Sequence, residues 1–178
     1  MLKTAGILAV ALGLTAGVAQ AQTCAGNTTA GCAVNTTASV TIPTLVELTV
    51  AGAGSIALTA PTSPDFTTGY VQNAGPTITV RANRAWTISI HTTAATNWTY
   101  SGTESGVKPI SDLTWSSTSG GTYTAITTSA AAIVSNQART NAGAPTIFFR
   151  TLYSNDFTDA RNAASSYSIP LVFTMTAP

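Results

Sequence analysis

The stretch TITVRANRAWTISIH, residues 77–91, alternates apolar and polar side chains over most of its length. A period of two predicts β-strands with one face in a core. Arg81 and Arg84 fall on opposite phases of the alternation, which predicts a bulge or turn between two strands near residues 82–84. His91 is out of phase with the apolar set and is expected to face solvent. The stretch is therefore interpreted as a wall of a β-sandwich rather than as a site. The apolar positions are Ile78, Val80, Ala82, Trp86, Ile88 and Ile90.

Further strand signals recur along the chain, separated by clusters of glycine, proline, serine and asparagine. Residues 61–76 are predicted to be a loop because they are rich in proline and glycine, and residues 129–143 are left open between helix and loop. The pattern predicts an all-β, immunoglobulin-like antiparallel sandwich of about seven to nine strands. The predicted strand segments are SVTIPTLVELTV (39–50), SIALTAP (55–61), NWTYSG (97–102), ISDLTWSS (110–117), TYTAITT (122–128), PTIFFRTLYS (145–154) and YSIPLVFTMTAP (167–178).

Residues 1–21 have the order of a cleaved signal peptide: Lys3, an apolar run over 7–18, and small residues before the cut. The run is too short to cross a hydrocarbon layer of about 30 Å as a helix. We therefore expect export to the periplasm, cell surface or medium without a membrane anchor, a lipid on Cys24 being the minor alternative. A tail at 22–37 and a sandwich domain at 38–178 would follow.

Charged residues make up 7% of the 178-residue chain, against about 25% in an average domain. The basic residues are scattered, so no patch for nucleic acid is expected. Threonine supplies much of the polar surface and suits a pleated face. A weakly charged sheet surface resists self-association poorly, which favours an assembling subunit.

Cys24 and Cys32 are the two cysteines of the chain. Export implies an oxidising compartment, so this close pair predicts a structural disulfide. Closing so short a loop would stabilise the fold by about 2.5 kcal/mol on the chain-entropy argument.

Residues for catalysis or metal binding are sparse. Nucleophilic catalysis with a histidine base would have to use His91, and no nucleophile elbow is present. The six carboxylates have no spacing that would pair them for glycoside hydrolysis. Calcium binding by Asn155, Asp156 and Asp159 remains an alternative to a hydrated turn. We therefore expect no enzyme activity and no cofactor.

Two binding functions are compatible with such a chain. Trp98, Tyr100 and Trp115 could form an aromatic platform for surface glycans, although alternating aromatic residues in a sandwich are more often core. Alternatively, the tail could add a strand to a neighbouring copy of the chain or a related subunit. Val34, Ala38 and Val40 would then fill pockets in the neighbour's core.

The order of these features resembles a known family. A signal peptide leads into a cysteine-bearing segment, a central strand GPTITVRANRAWTISI (75–90) follows, and SSYSIPLVFTMT (165–176) closes the chain with a tyrosine-led alternation. This resembles the fimbrial subunits of the spore coat protein U and Csu-type pilin family. The resemblance implies an immunoglobulin-like sandwich that serves as a structural subunit of a surface fibre or coat.

Overall fold

The computed structural model describes Val34 and residues 36–52, 54–102, 107–154 and 166–178. The chain divides into two units, Met1–Thr41 and Ile42–Pro178. In the first unit, the described residues 34 and 36–41 are exposed and form neither helix nor strand. The predicted signal peptide and both cysteines lie outside the described residues.

The second unit is mainly β-structure. One short α-helix, α1 (Ser63–Thr68), and a 3-10 turn (Ile110–Asp112) accompany the strands. No helix among the described residues is long and apolar enough to cross a membrane. The strands are β1 (Val46–Val50), β2 (Tyr70–Ala74), β3 (Ile78–Ala82), β4 (Trp86–Thr92), β5 (Thr99–Ser101), β6 (Leu113–Ser116), β7 (Thr124–Ala125), β8 (Ala131–Gln137), β9 (Thr140–Gly143), β10 (Phe148–Leu152), β11 (Ser166–Ser168) and β12 (Leu171–Thr176).

The strand pairs are all antiparallel. In the described part of the chain, hydrogen bonding groups the strands in the orders β1-β3-β9, β2-β10-β6-β7, β12-β4-β8 and β11-β5. Their inner faces share one apolar core, which confirms the predicted all-β sandwich. The core includes side chains from β3, β4, β6 and β10, namely Ile78, Val80, Trp86, Ile88, Ile90, Leu113, Trp115 and Phe149.

The opening stretch behaves as its alternation predicts. Strands β3 and β4 bury every second residue and are separated by a bend at Asn83 and Arg84. Arg81 points outward and pairs with Glu47 across the β1–β3 ladder at 3.1 Å. The expectation that His91 faces solvent is wrong in part, because this residue lies opposite Val172 of β12 and is half-buried.

The prediction of one strand over 39–50 is wrong at its beginning. Strand β1 starts only at Val46, and residues 39–45 are irregular and exposed. Pro43 cannot donate a ladder hydrogen bond, and its carbonyl accepts one from the Asn83 side chain instead. The Asn83 side-chain oxygen also accepts from the Leu45 N–H, at 2.9 Å.

The predicted loop at 61–76 contains ordered elements. Pro64 lies in the first turn of α1, where a missing N–H costs nothing, and Gly69 ends the helix with φ of +84°. Strand β2 follows and pairs with β10. Gly75 then approaches the residue before β10 so closely that a Cβ would lie 2.7 Å from the Ile147 carbonyl oxygen.

The sequence left residues 129–143 open between a helix and a loop, and the structure shows mainly strands there instead. They contain β8, which pairs with β4, and β9, which pairs with β3. The short-range pattern AAIVSNQ is too irregular to predict a strand, but Ile133 packs into the core. Tertiary pairing therefore decides the structure of this region.

Candidate functional site

An open groove of about 1000 Å³ runs beside the core of the second unit. One wall is the irregular segment 54–61, and the other is formed by residues 166–171 and Phe173 of the last two strands. Its floor includes the buried side chains of Trp98, Leu113 and Phe149. The lining is mainly apolar, so the groove can accept an apolar side-chain row.

Both walls present backbone groups that lack strand partners. Strand β12 pairs with β4 on one side only and is the edge of its sheet. On the opposite wall, residues 56–60 form no backbone–backbone hydrogen bond with any described residue. The Thr59 N–H donates to the Asn73 side-chain oxygen at 2.8 Å, which anchors that wall. The groove therefore lies between two segments with free backbone polar groups.

The side chains along the groove are incompletely covered. Ile56 and Leu58 on one wall, and Ile169, Leu171 and Phe173 on the other, pack against the core but remain half-exposed. The predicted alternation of residues 167–175 is therefore present, but it is broken at Pro170 between β11 and β12. The core is therefore only partly covered along the groove.

Helix α1 closes part of the groove by placing Phe66 against it. The side-chain hydroxyl of Thr62 and its backbone N–H donate to the Asp65 carboxylate at 2.6 and 2.7 Å. These two hydrogen bonds hold the pKa of Asp65 below its ordinary value. They fix the start of the helix as a capping box does.

Lys108 is a charged group in the groove lining and is only 1% exposed. Its Nζ donates to Asp112 Oδ2 at 3.1 Å and to the Leu152 carbonyl at 2.6 Å. It also lies 4.6 Å from the centre of the Tyr153 ring. The charge is satisfied within the fold, as a buried cation requires.

The proposed donor residues lie outside the core. Val40 is 85% exposed, and Val34 and Ala38 are exposed as well. Ile42, which the sequence assigned to a strand face, is also exposed at 67%. These four residues share the even phase of one alternating segment, residues 34–42.

The three rings of the predicted glycan platform do not share an exposed surface. Trp98 and Trp115 are buried in the core with 6% and 8% exposure. Tyr100 packs on Tyr167 with ring centres 5.0 Å apart. Neither indole presents a face to solvent.

The residues considered for catalysis and metal binding remain dispersed. Nδ1 of His91 is buried and has no hydrogen-bond partner among the described residues. Within the described ranges, no three His, Cys, Asp or Glu side chains form a group that could hold a metal ion. Asp156, Asp159 and Asn155 lie outside those ranges.

The sequence analysis did not identify residues 54–61 as part of a binding site, although they form one wall of the groove. The alternation of Ile56 and Leu58 was visible in the sequence, but it predicted a paired strand. Which segment remains without a partner depends on the arrangement of all other strands, so no local signal could have identified it.

Comparison with protein-family models, curated proteins and solved structures found no match to this chain.

Proposed function

We propose that this protein is an exported structural subunit of a bacterial surface fibre or coat and that it assembles by strand addition. The observation that carries the proposal is the apolar groove between β12 and residues 54–61. Its walls offer backbone groups without strand partners among the described residues, and its apolar side chains are only partly covered. A strand added by another copy would pair with the backbone groups of the walls and would also cover the apolar side chains of the groove.

The strand donor is the segment 34–42 of a second copy. Its even positions carry Val34, Thr36, Ala38, Val40 and Ile42, and its odd positions carry only polar residues, so one face is mainly apolar. Nine extended residues span about 30 Å. The eight residues 166–173 of the β11–β12 wall have nearly the same extended reach, which supports a match in length.

The exposure of these apolar side chains favours their burial against a second copy of the chain. Val40 and Ile42 keep most of their surface in water, and burying each would contribute about 1.5–3 kcal/mol. The donor and the groove are different surfaces, so the contact is heterologous and repeats into an open filament. Low charge on the chain permits such close packing of copies.

Assembly can be tested with residues 22–178 and residues 43–178, the second lacking the donor but retaining every described strand. Size-exclusion chromatography with light scattering, and negative-stain microscopy, would follow both over a concentration series. We expect filaments or oligomers from the longer chain only. The shorter chain should remain monomeric and should gain thermal stability when a peptide of residues 34–42 is added.

A peptide in which Val40 and Ile42 are replaced by serine is the matched control and should give a smaller thermal shift. The proposal is wrong if residues 22–178 remain monomeric at high concentration and the native peptide stabilises residues 43–178 no more than the control peptide does.

A further inference from the structure

A second cluster lies on the outer face of strands β2 and β10, away from the core. Arg150 of β10 has its guanidinium carbon 4.2 Å from the ring centre of Tyr70 and 3.9 Å from that of Tyr123. Tyr70 begins β2 on one side of β10, and Tyr123 precedes β7 on the other side. The guanidinium group therefore contacts two aromatic rings at cation–π distance.

The orientation of this guanidinium is fixed by a chain of hydrogen bonds. Arg150 Nε donates to Gln72 Oε1 at 3.1 Å, and the two residues face each other in the β2–β10 register. Gln72 Nε2 in turn donates to Ser119 Oγ at 3.3 Å. Ser119 accepts in this bond, so its own hydroxyl proton is available to a further acceptor.

The outer edge of Arg150 has donors without acceptors. The hydrogen bonds of its side chain within the described residues involve Nε only, which leaves the N–H groups of both Nη atoms unpaired there. The ion pairs found in the same ranges, Arg81–Glu47 and Lys108–Asp112, do not include it. Such a fork matches a planar carboxylate with two parallel hydrogen bonds.

We propose that this arginine clamp, formed by Arg150, Tyr70, Tyr123, Gln72 and Ser119, binds the carboxylate of an acidic sugar. A single positive charge among neutral side chains suits a monoanion better than a phosphate dianion. The Ser119 hydroxyl ends the hydrogen-bond chain that orients the guanidinium, and its proton can be donated to a sugar hydroxyl. The clamp is separate from the strand-acceptor groove and does not depend on assembly.

The test is an NMR titration of residues 43–178 at low salt, following the Nε–H signal of Arg150 and the backbone amides of β2 and β10. The probes are methyl glucuronide, methyl glucoside, acetate and inorganic phosphate. The first two differ only in a carboxylate against a hydroxymethyl group. We expect the glucuronide to shift these signals at a lower concentration than the other three probes.

Arg150→Lys keeps the charge but removes the fork, and Gln72→Leu removes the bond that orients it. Each should weaken glucuronide binding by about tenfold or more. Arg81→Lys, at an exposed arginine on another sheet, is the matched control and should leave it unchanged. Gln72 is exposed, so its variant remains informative if Arg150→Lys fails to fold.

Three results would overturn the assignment. The first is an absence of glucuronide binding, and the second is equal loss of binding in the Arg81 control. The third is acetate or phosphate binding as tightly as the glucuronide, because a sugar-specific clamp must use the hydroxyls as well as the charge.

Discussion

Replacing Val40 by serine separates the role of this side chain in the monomer from its role in assembly. Val40 is 85% exposed, so the substitution should change the free energy of unfolding of the monomer by no more than about 0.5 kcal/mol. In a strand-addition contact the same side chain would be buried, and its loss would cost about 1.5–3 kcal/mol. The concentration for half-assembly should therefore rise by about 10- to 150-fold.

Light scattering over a concentration series measures this change, and thermal unfolding at low concentration measures the monomer. Thr41→Ser is the matched control because Thr41 occupies the opposite phase of the same segment. It should leave the half-assembly concentration nearly unchanged. Equal effects of the two substitutions would contradict a strand with one buried face, and a large loss of monomer stability in Val40→Ser would contradict its exposure.

The remaining predictions concern the fold that supports the groove. Gly75→Ala should lower the free energy of unfolding by about 1–3 kcal/mol in urea titrations, because the added Cβ would lie 2.7 Å from a facing carbonyl oxygen. An unchanged midpoint would show that the two strands separate easily. Asp112→Asn should destabilise by about 3 kcal/mol because it removes the carboxylate that pairs with the buried Lys108, and adding Lys108→Met should restore part of the loss in a double-mutant cycle. The depressed pKa of Asp65 means that its stabilising contribution is present above its unfolded pKa and disappears as pH falls through the lower folded pKa. In Thr62→Ala the NMR titration of Asp65 should move to higher pH, and an unmoved titration would exclude the hydroxyl as its main cause.

The groove shows where sequence reasoning succeeds and where it stops. The odd positions of residues 167–175 correctly indicated the side chains directed towards the core. The tail residues Val34, Ala38 and Val40 are exposed, and their role as a strand donor stays a prediction. The segment 55–61 was expected to be a paired strand, yet residues 56–60 lack backbone pairing among the described residues. The aromatic rings Trp98 and Trp115 were visible as candidates, but only packing revealed that they are buried.

The sequence by itself determined which side chains share a face. Consecutive residues of a strand point to opposite sides, so Ile78 and Val80, or Ile88 and Ile90, are directed into the core by local geometry alone. Only the tertiary structure decided which strands became neighbours, because hydrogen-bond partners in a sheet come from distant parts of the chain. This arrangement of strands leaves β12 at the edge of its sheet beside residues 54–61, and it brings Tyr70 and Tyr123 to opposite sides of Arg150. Both proposed binding surfaces arise from long-range placement, which no local period encodes.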